Sequence, residues 1–393
     1  MSVLAKSGLP ALAARHKLTC VVRTHLHDAA PIGRTRPLTP SGIIGKVQDS
    51  RKGYILARYP TVRRLLLAWL RVVAYFRVNA YGGVAQLLWW TTLPMTAVER
   101  GHWRDWMRAS LSLHERMLRR PELWRVLFGL GWVELLVAPL MPLVALVDVA
   151  RVLYKRRAGL QSLRVRPRDT FSYPEYYLHD FHHQPNGGLS LRSALAYDWQ
   201  VRFLFAGTER LMRQAVVDAL PRGDSLAVLD LGCGTAAWLT QARALGRNHR
   251  YTGVDLSPEY LRVARICRRG GTFLQANAEE LPAAWDGRFD VVVAIWLFHE
   301  LPSAAIHRII REAARVLRPG GKFVFLDAKQ RVDHAAYDPR IPANFMDYFA
   351  EPYFAGWVEL DLEAALRDAG LSLERRKRVH HSVLLTGRKA SAG

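Results

Sequence analysis

One short loop, Asp230-Leu-Gly-Cys-Gly-Thr-Ala236, constrains the fold of this chain most strongly. It follows the apolar run Leu226–Leu229 and precedes a helical pattern that reaches Leu245. The pattern predicts a buried strand that turns tightly into a helix. Glycine lacks Cβ, so the backbone of such a turn can approach a nucleotide-like ligand closely. An acid directly before the glycines is unusual for a loop that cradles phosphates, so Asp230 bears on which ligand binds.

From Ser225 onward, strand and helix patterns alternate, which predicts an α/β fold with a mostly parallel sheet covered by helices on both faces. The predicted strands are Leu226–Leu231, Tyr251–Asp255, Gly271–Gln275, Phe289–Ile295, Lys322–Asp327, Leu371–Arg378 and His380–Gly387, and the predicted helices are Thr235–Leu245, Pro258–Arg268, Ser303–Leu317 and Leu360–Ala369. The last two strands are joined almost directly. They predict a hairpin, and therefore one antiparallel strand at the edge of the sheet.

Polar and aromatic residues gather where the predicted strands end. Asp230 ends the first strand and Asp255 the second, while Asn277 follows the third and Trp296 follows the fourth. Ligands of such sheets bind outside the carboxyl ends of the strands. We therefore expect these side chains to surround one binding cleft.

Two cofactor classes fit the glycine loop. The spacing Gly232-x-Gly234-x-x-Ala237 matches a dinucleotide fingerprint, and Asp255 lies where a ribose-binding acid is expected. Asp230 favours a different ligand, because a carboxylate repels a pyrophosphate but attracts an ammonium and a sulfonium. S-adenosylmethionine carries both cations. Asp255 would then accept hydrogen bonds from the ribose, and Asn277 would bind the adenine.

Five motifs occur in the order Val-Leu-Asp-Leu-Gly-Cys-Gly-Thr, Gly-Val-Asp-Leu-Ser-Pro, Asn-Ala-Glu-Glu-Leu-Pro, Phe-Asp-Val-Val-Val-Ala and Val-Leu-Arg-Pro-Gly-Gly-Lys. Over residues 195–390 the chain thus resembles the class I S-adenosylmethionine-dependent methyltransferases of the type 11 group, which includes quinone-biosynthesis enzymes. The resemblance implies a Rossmann-like seven-stranded sheet with an antiparallel terminal strand. Ala236 replaces a frequent third glycine, and Asn277 replaces the commoner Asp. The predicted cofactor-binding residues are Asp230, Gly232, Cys233, Gly234, Thr235, Asp255, Leu256, Asn277, Ala278, Glu279 and Ile295.

The positive charge is concentrated in the N-terminal part of the chain. The net charge is +22, and residues 1–170 hold 28 Lys and Arg against 9 Asp and Glu. We predict four regions, a basic loop or disordered arm (1–60), a helical basic region (61–165), an aromatic and His-rich cap segment (166–200) and the methyltransferase domain (201–390). The three scattered cysteines favour a reducing compartment.

The region 61–165 interleaves arginine with tryptophan and aliphatic residues, notably over Thr61–Tyr81 and Trp103–Leu127. This pattern suits the headgroup layer of an anionic membrane, so we expect a cytoplasmic protein at the inner face of a membrane. The apolar run Leu127–Val147 is long enough to span a bilayer, but Glu134 and two prolines interrupt it. A re-entrant segment, an interfacial hairpin and a soluble helical domain remain alternatives. Nucleic acid is a less favoured partner because the region is so apolar.

His299 is the candidate catalytic base, because the pKa of a histidine lies near neutrality. The alternative is that it only pins the loop after the fourth strand. Aromatic clusters before and after the sheet predict an apolar acceptor, with ordinary packing as the alternative. The candidate substrate-binding residues are Trp296, His182, Tyr348, Phe349 and Tyr353. No metal is predicted, since His179, His182 and His183 lack a standard zinc spacing.

These patterns together predict a methyltransferase that uses S-adenosylmethionine and acts on a lipophilic or aromatic small molecule, quinone-like or hydroxylated, at a membrane surface. An RNA or protein methyltransferase guided by the basic region is the alternative enzyme. A non-catalytic cofactor-binding membrane scaffold is the alternative outside enzymes. The sequence leaves the acceptor atom and the oligomeric state open.

Overall fold

The computed structural model describes residues 165–391 except 180, 184–186, 206–207, 224, 269 and 335–350, together with a few isolated positions before residue 165. The predictions for 1–60 and for nearly all of 61–165, including the run Leu127–Val147, lie outside the described residues. Within the described part of the chain, no helix has the length and apolar character needed to cross a bilayer.

The elements follow the α/β order that the sequence predicts. Among the described residues from 165 onward, two helices precede the sheet, and three short 3₁₀ turns, Glu175–Tyr177, Phe181–His183 and Gly187–Leu189, precede these helices. The helices and strands described in this part of the chain are α1 Leu191–Leu204, α2 Glu209–Ala219, β1 Ala227–Leu231, α3 Ala237–Ala244, β2 Arg250–Asp255, α4 Pro258–Cys267, β3 Gly271–Gln275, β4 Phe289–Ile295, α5 Ser303–Val316, β5 Leu317–Ala328, α6 Phe354–Glu359, α7 Leu362–Asp368, β6 Leu371–Val379 and β7 Ser382–Lys389.

The strands form one seven-stranded sheet in the order β3-β2-β1-β4-β5-β7-β6. Strands β1 to β5 are parallel, and β7 is antiparallel to both β5 and β6. This confirms the predicted fold class and the reversed terminal strand. The reversed strand, however, lies one position in from the edge. Residues 382–387 of β7 are buried, whereas β6 is rich in exposed Arg and Lys, which suits β6 to the edge position.

Each central strand contributes to two hydrophobic cores, one on each face of the sheet. Val292 and Ala294 of β4 pack with α5, α6 and α7, while Val291 and Val293 pack on the opposite face with α2, α3 and α4. Successive side chains of a strand point to opposite faces, so a strand covered by helices on both sides must be apolar throughout. These buried runs made the strands recognisable in the sequence.

The structure differs from the predicted elements mainly after β5. The predicted helix Leu360–Ala369 is present as α7, which begins at Leu362 because Asp361 caps it by accepting a hydrogen bond from the backbone N–H of Ala364. Helix α6 was not predicted. Strand β5 begins at Leu317 rather than Lys322, with an irregularity in its pairing to β4.

The direction of the strand order reverses at β1, which pairs with β2 on one side and β4 on the other. A crevice therefore opens at the carboxyl ends of β1 and β4, where the polar residues of the sequence motifs lie.

Candidate active site

The loop between β1 and α3 has a left-handed backbone at three positions. Gly232 and Gly234 have φ values of +61° and +51°, and Ala236 has +51°. A side chain at Gly232 would also collide with Leu297, since a Cβ there would lie 2.7 Å from Leu297 Cδ1. This position therefore requires glycine both for its backbone angle and for the approach of the loop after β4.

Asp230 ends β1 with a carboxyl group that is almost fully buried. It is 5% exposed, and its Oδ2 accepts a 2.6 Å hydrogen bond from the Trp238 indole. Burial raises its pKa to about 7, and the bond from Trp238 opposes this effect only in part. A cation placed beside Asp230 would restore its negative charge, as expected for a site that binds an ammonium.

Asp255 ends β2 and closes the other side of the glycine loop. Its two carboxylate oxygens accept backbone hydrogen bonds from Gly234 and Ser257, each 2.8 Å long. Burial raises its pKa to about 6, against the effect of these N–H groups. A carboxylate offers about four lone-pair sites, so a ribose hydroxyl can still bind.

A cleft lies over the carboxyl ends of the strands. Seven predicted cofactor-binding residues line it, namely Gly232, Gly234, Asp255, Leu256, Asn277, Ala278 and Ile295. Asp230, Cys233 and Thr235 line a smaller cavity that shares Gly232, Gly234 and Ile295 with the cleft. Glu279 lines neither, because its carboxylate binds the Tyr176 hydroxyl at 2.5 Å and the Arg308 guanidinium at 2.6 Å.

Arg213 is a site residue that the sequence reasoning missed. It lies on α2, is 7% exposed, and stacks its guanidinium 5.0 Å from the centre of the Trp296 ring. It lines the same small cavity as Asp230, so a cation and a carboxyl group face one space. The only signal in the sequence was an arginine between Met212 and Val216, both of which are buried.

The candidate base His299 lies outside the residues that line the cleft. Its Nδ1 is 2.6 Å from Asp327 Oδ1, and its Nε2 is 3.8 Å from Glu351 Oε2. Burial would lower its pKa, but these two acids outweigh burial and raise it to about 9. An imidazole that already holds its proton does not suit a general base. Asp327 also accepts the backbone N–H of Leu297 and Phe298, so this arrangement favours the loop-pinning alternative.

The other acceptor-site candidates take different positions. His182 and Trp296 line the cleft, whereas the ring of Tyr353 packs against Tyr176 and Phe181. Tyr348 and Phe349 lie outside the described residues. No group of three or more His, Cys, Asp or Glu side chains is placed to hold a metal ion within the part of the chain that the structure describes.

Comparison with known proteins identifies the family. Residues 228–321 match the family described as "Methyltransferase domain". The chain is 31% identical over 176 residues to an uncharacterized methyltransferase of Synechocystis sp., covering 44% of this chain and 79% of that protein. The chain belongs to the class I S-adenosylmethionine-dependent methyltransferases.

Other relatives of this methyltransferase match over shorter segments. A fatty-acid O-methyltransferase of Mycolicibacterium smegmatis is 36% identical over 111 residues, which is 27% of this chain and 38% of that protein. A ubiquinone/menaquinone biosynthesis C-methyltransferase of Nitrobacter hamburgensis is 34% identical over 144 residues. This segment is 34% of this chain and 56% of that protein. A solved methyltransferase from Aquifex aeolicus aligns over 51% of this chain and 98% of its own, at 18% identity and a TM-score of 0.38.

The cofactor of this methyltransferase is S-adenosylmethionine, and the two joined cavities fit its chemistry. The small cavity pairs the carboxyl group of Asp230 with the guanidinium of Arg213, which match the ammonium and the carboxylate of an amino acid. The larger cleft offers Asp255 for a ribose and Asn277 for a base. Apart from Glu279, the cofactor-binding residues predicted from the sequence line these two cavities, and Arg213 lines the smaller one with them.

Proposed function

We propose that this methyltransferase acts on a lipophilic or aromatic small molecule, quinone-like or hydroxylated, at the inner face of a membrane. The observation that carries the proposal is the aromatic wall of the cleft. Six aromatic residues form it, namely Tyr176, Tyr177, Phe181, Tyr197, Tyr260 and Trp296. Aromatic rings stack on flat apolar molecules and exclude water, so this wall suits an acceptor of that kind.

Two relatives support the same acceptor class by name. One is a fatty-acid O-methyltransferase, and the other is a C-methyltransferase of ubiquinone/menaquinone biosynthesis. The chain covers 38% and 56% of these proteins, so their names support the class of acceptor and not its identity.

The charge of residues 1–170 supports the membrane part of the proposal. This region carries 28 Lys and Arg against 9 Asp and Glu, and much of it is apolar. Basic segments bind anionic lipid headgroups, and tryptophan side chains settle at the boundary between headgroups and acyl chains. A lipophilic acceptor would reach the cleft without leaving that boundary.

When bound, S-adenosylmethionine supplies an electrophilic methyl group on a sulfonium. The residues of the chain would hold and orient it. Asp255 would bind the ribose, while Asp230 and Arg213 would hold the amino-acid end. The aromatic wall keeps water from the acceptor. Positioning two reactants in this way supplies much of the rate of a group transfer.

The test uses the full-length protein, S-adenosylmethionine with a deuterated methyl group, and a whole-cell extract from a strain that lacks the gene. We expect the label in a small molecule that partitions into organic solvent. An Asp255→Ala variant, which loses the ribose contact, serves as the control without transfer. Label found only in RNA or in protein would contradict the proposal and favour the alternative substrates.

A further inference from the structure

Three acidic or basic side chains from distant parts of the chain meet at the aromatic end of the cleft. His182 lies in the turn Phe181–His183, Glu300 lies in the turn after β4, and Glu351 precedes α6. The distance from His182 Nε2 to Glu300 Oε1 is 2.8 Å, and that from His182 Nδ1 to Glu351 Oε1 is 3.2 Å. One imidazole thus joins two carboxylates.

Only two of the three groups line the cleft. His182 and Glu300 line the cleft, and their side chains are 26% and 29% exposed, whereas Glu351 is 1% exposed behind them. The backbone at His182 is left-handed, with φ of +51°, a conformation that costs energy outside glycine. The two hydrogen bonds hold the imidazole in place despite this strain, which indicates that its position matters.

His182 keeps Glu300 ionised. Burial alone would lower the pKa of His182, but Glu300 and Glu351 outweigh it and raise the pKa to about 10. Burial alone would raise the pKa of Glu300, but the hydrogen bond from His182 outweighs it and lowers the pKa. At neutral pH the imidazole is therefore cationic, and Glu300 is an ionised carboxylate that can accept a proton.

Other titratable groups surround this cluster. The neighbours whose charge interacts with Glu300 or His182 are Asp255, Tyr177, Tyr197 and His299. Asp255 adds negative charge, and His299 is already paired with Asp327. Glu300 therefore lines the cleft as an ionised carboxylate that His182 holds in place.

We propose that Glu300 accepts the proton of an acceptor hydroxyl group during methyl transfer, and that His182 is the positioning residue that holds it. This inference rests on the proposed function and narrows the acceptor to a phenol or enol. The acceptor oxygen forms a bond to the methyl carbon, the carbon–sulphur bond breaks with its electron pair left on sulphur, and the hydroxyl proton moves to Glu300. As the new bond forms, that proton becomes acidic enough for a carboxylate to take it.

The ionised carboxylate of Glu300 also disfavours a carboxylate acceptor. A fatty acid ionised at neutral pH has no proton to give, and Glu300 repels it. The inference thus separates the two kinds of lipophilic acceptor that the relatives' names suggest.

The first experiment needs no acceptor. If Glu300 lies within reach of the acceptor oxygen, it also lies near the sulfonium, so it must favour cationic S-adenosylmethionine over neutral S-adenosylhomocysteine. Calorimetry on the full chain would give both dissociation constants. We expect Glu300→Gln to reduce the preference for the cation about tenfold. The control Glu363→Gln, an exposed site on α7, should leave it unchanged. An unchanged preference in Glu300→Gln would overturn the proposal.

The second experiment compares 4-dodecylcatechol with dodecanoic acid, two probes that share the same alkyl chain. We expect the wild type to methylate the catechol and not the acid. In Glu300→Gln the rate at neutral pH should fall about 100-fold and recover as the pH rises and the catechol ionises in solution. His182→Gln should lose less of the methylation rate than Glu300→Gln, and the pH dependence of its rate should change in the same way.

Two outcomes would overturn the proposal, namely methylation of the acid alone, or a wild-type rate and pH profile in Glu300→Gln. Methylation of neither probe would contradict the proposed acceptor class instead. The Glu300 assignment would then be decided by the calorimetric comparison.

Discussion

Asp230 and Asp255 are acids that the fold buries at the carboxyl ends of β1 and β2. Burial raises their pKa values to about 7 and about 6, well above the usual range of an aspartate. The folded protein therefore binds protons more tightly than the unfolded chain at these sites. Their contribution to stability is largest at acidic pH and is lost as the pH rises through about 6 to 7. Cofactor binding is instead favoured at higher pH, because an ammonium or a hydroxyl binds an ionised carboxylate more strongly.

We expect cofactor affinity to depend on pH through these two acids. Affinity for S-adenosylmethionine should rise from about pH 5.5 to about pH 7.5, and binding near pH 6.5 should release protons. Calorimetric titrations in two buffers with different heats of ionisation would measure the number of protons released. Proton uptake, or binding independent of pH over this range, would contradict the assignment.

Replacing Asp230 should separate stability from binding. In Asp230→Asn the amide oxygen can still accept the hydrogen bond from Trp238, while the buried charge is removed. We expect the melting temperature of the ligand-free protein at pH 8 to stay equal or to rise. The affinity for S-adenosylmethionine should fall at least about tenfold. The exposed Asp368→Asn is the matched control, and a lowered melting temperature in Asp230→Asn alone would show that the charge supports the fold.

Arg213 can be tested with a matched pair of ligands. If its guanidinium binds the carboxylate of the cofactor, Arg213→Met should lower the affinity for S-adenosylmethionine about tenfold to 100-fold. Decarboxylated S-adenosylmethionine, which lacks that group, should bind the variant and the wild type alike. Equal losses for both ligands in equilibrium binding measurements would indicate that Arg213 acts only by packing on Trp296.

At the scale of elements, Trp357 is one of the buried residues that attach α6 to the sheet. Trp357 is fully buried, its indole donates to the Ala328 carbonyl at 2.9 Å, and its ring stacks on Phe298 with centroids 5.9 Å apart. Glu351 lies just before this helix, so the position of the carboxylate behind His182 depends on the same attachment.

We expect Trp357→Ala to lower the free energy of unfolding by about 3–5 kcal/mol, because it leaves a large cavity in the core. Trp357→Phe keeps the ring stacking and loses chiefly the hydrogen bond, so it should lower the free energy of unfolding by about 1–2 kcal/mol. Urea titration of both variants would measure the difference. Similar values for the two would show that the packing around Trp357 can rearrange.

The element predictions were most accurate where one local pattern decided the structure. Strands β3 and β4 have the predicted bounds, because a short apolar run between turn residues admits few alternatives. The region after β5 was less predictable. There, α7 lies within the predicted helix Leu360–Ala369, but α6 was missed, because it depends on packing against residues that are distant in the chain.

At the scale of the whole molecule, the basic region should govern location and the described sheet should govern cofactor binding. The residues that line both cavities lie between 176 and 309. We expect a variant without residues 1–164 to keep its affinity for S-adenosylmethionine and to lose flotation with vesicles that contain anionic lipid. The full-length chain with neutral vesicles is the control. Undiminished flotation of the shortened chain would contradict the membrane proposal.

The sequence by itself determined the order of the elements, the family and the cofactor, because each motif lies within a few residues of the strand end that presents it. The tertiary structure decided which side chains meet. It brought Arg213 opposite Asp230, turned His299 away from the cleft and placed His182 against Glu300, 118 residues away in the chain. Such contacts depend on how helices and loops pack across the sheet, and no local pattern of charge or hydrophobicity records that geometry.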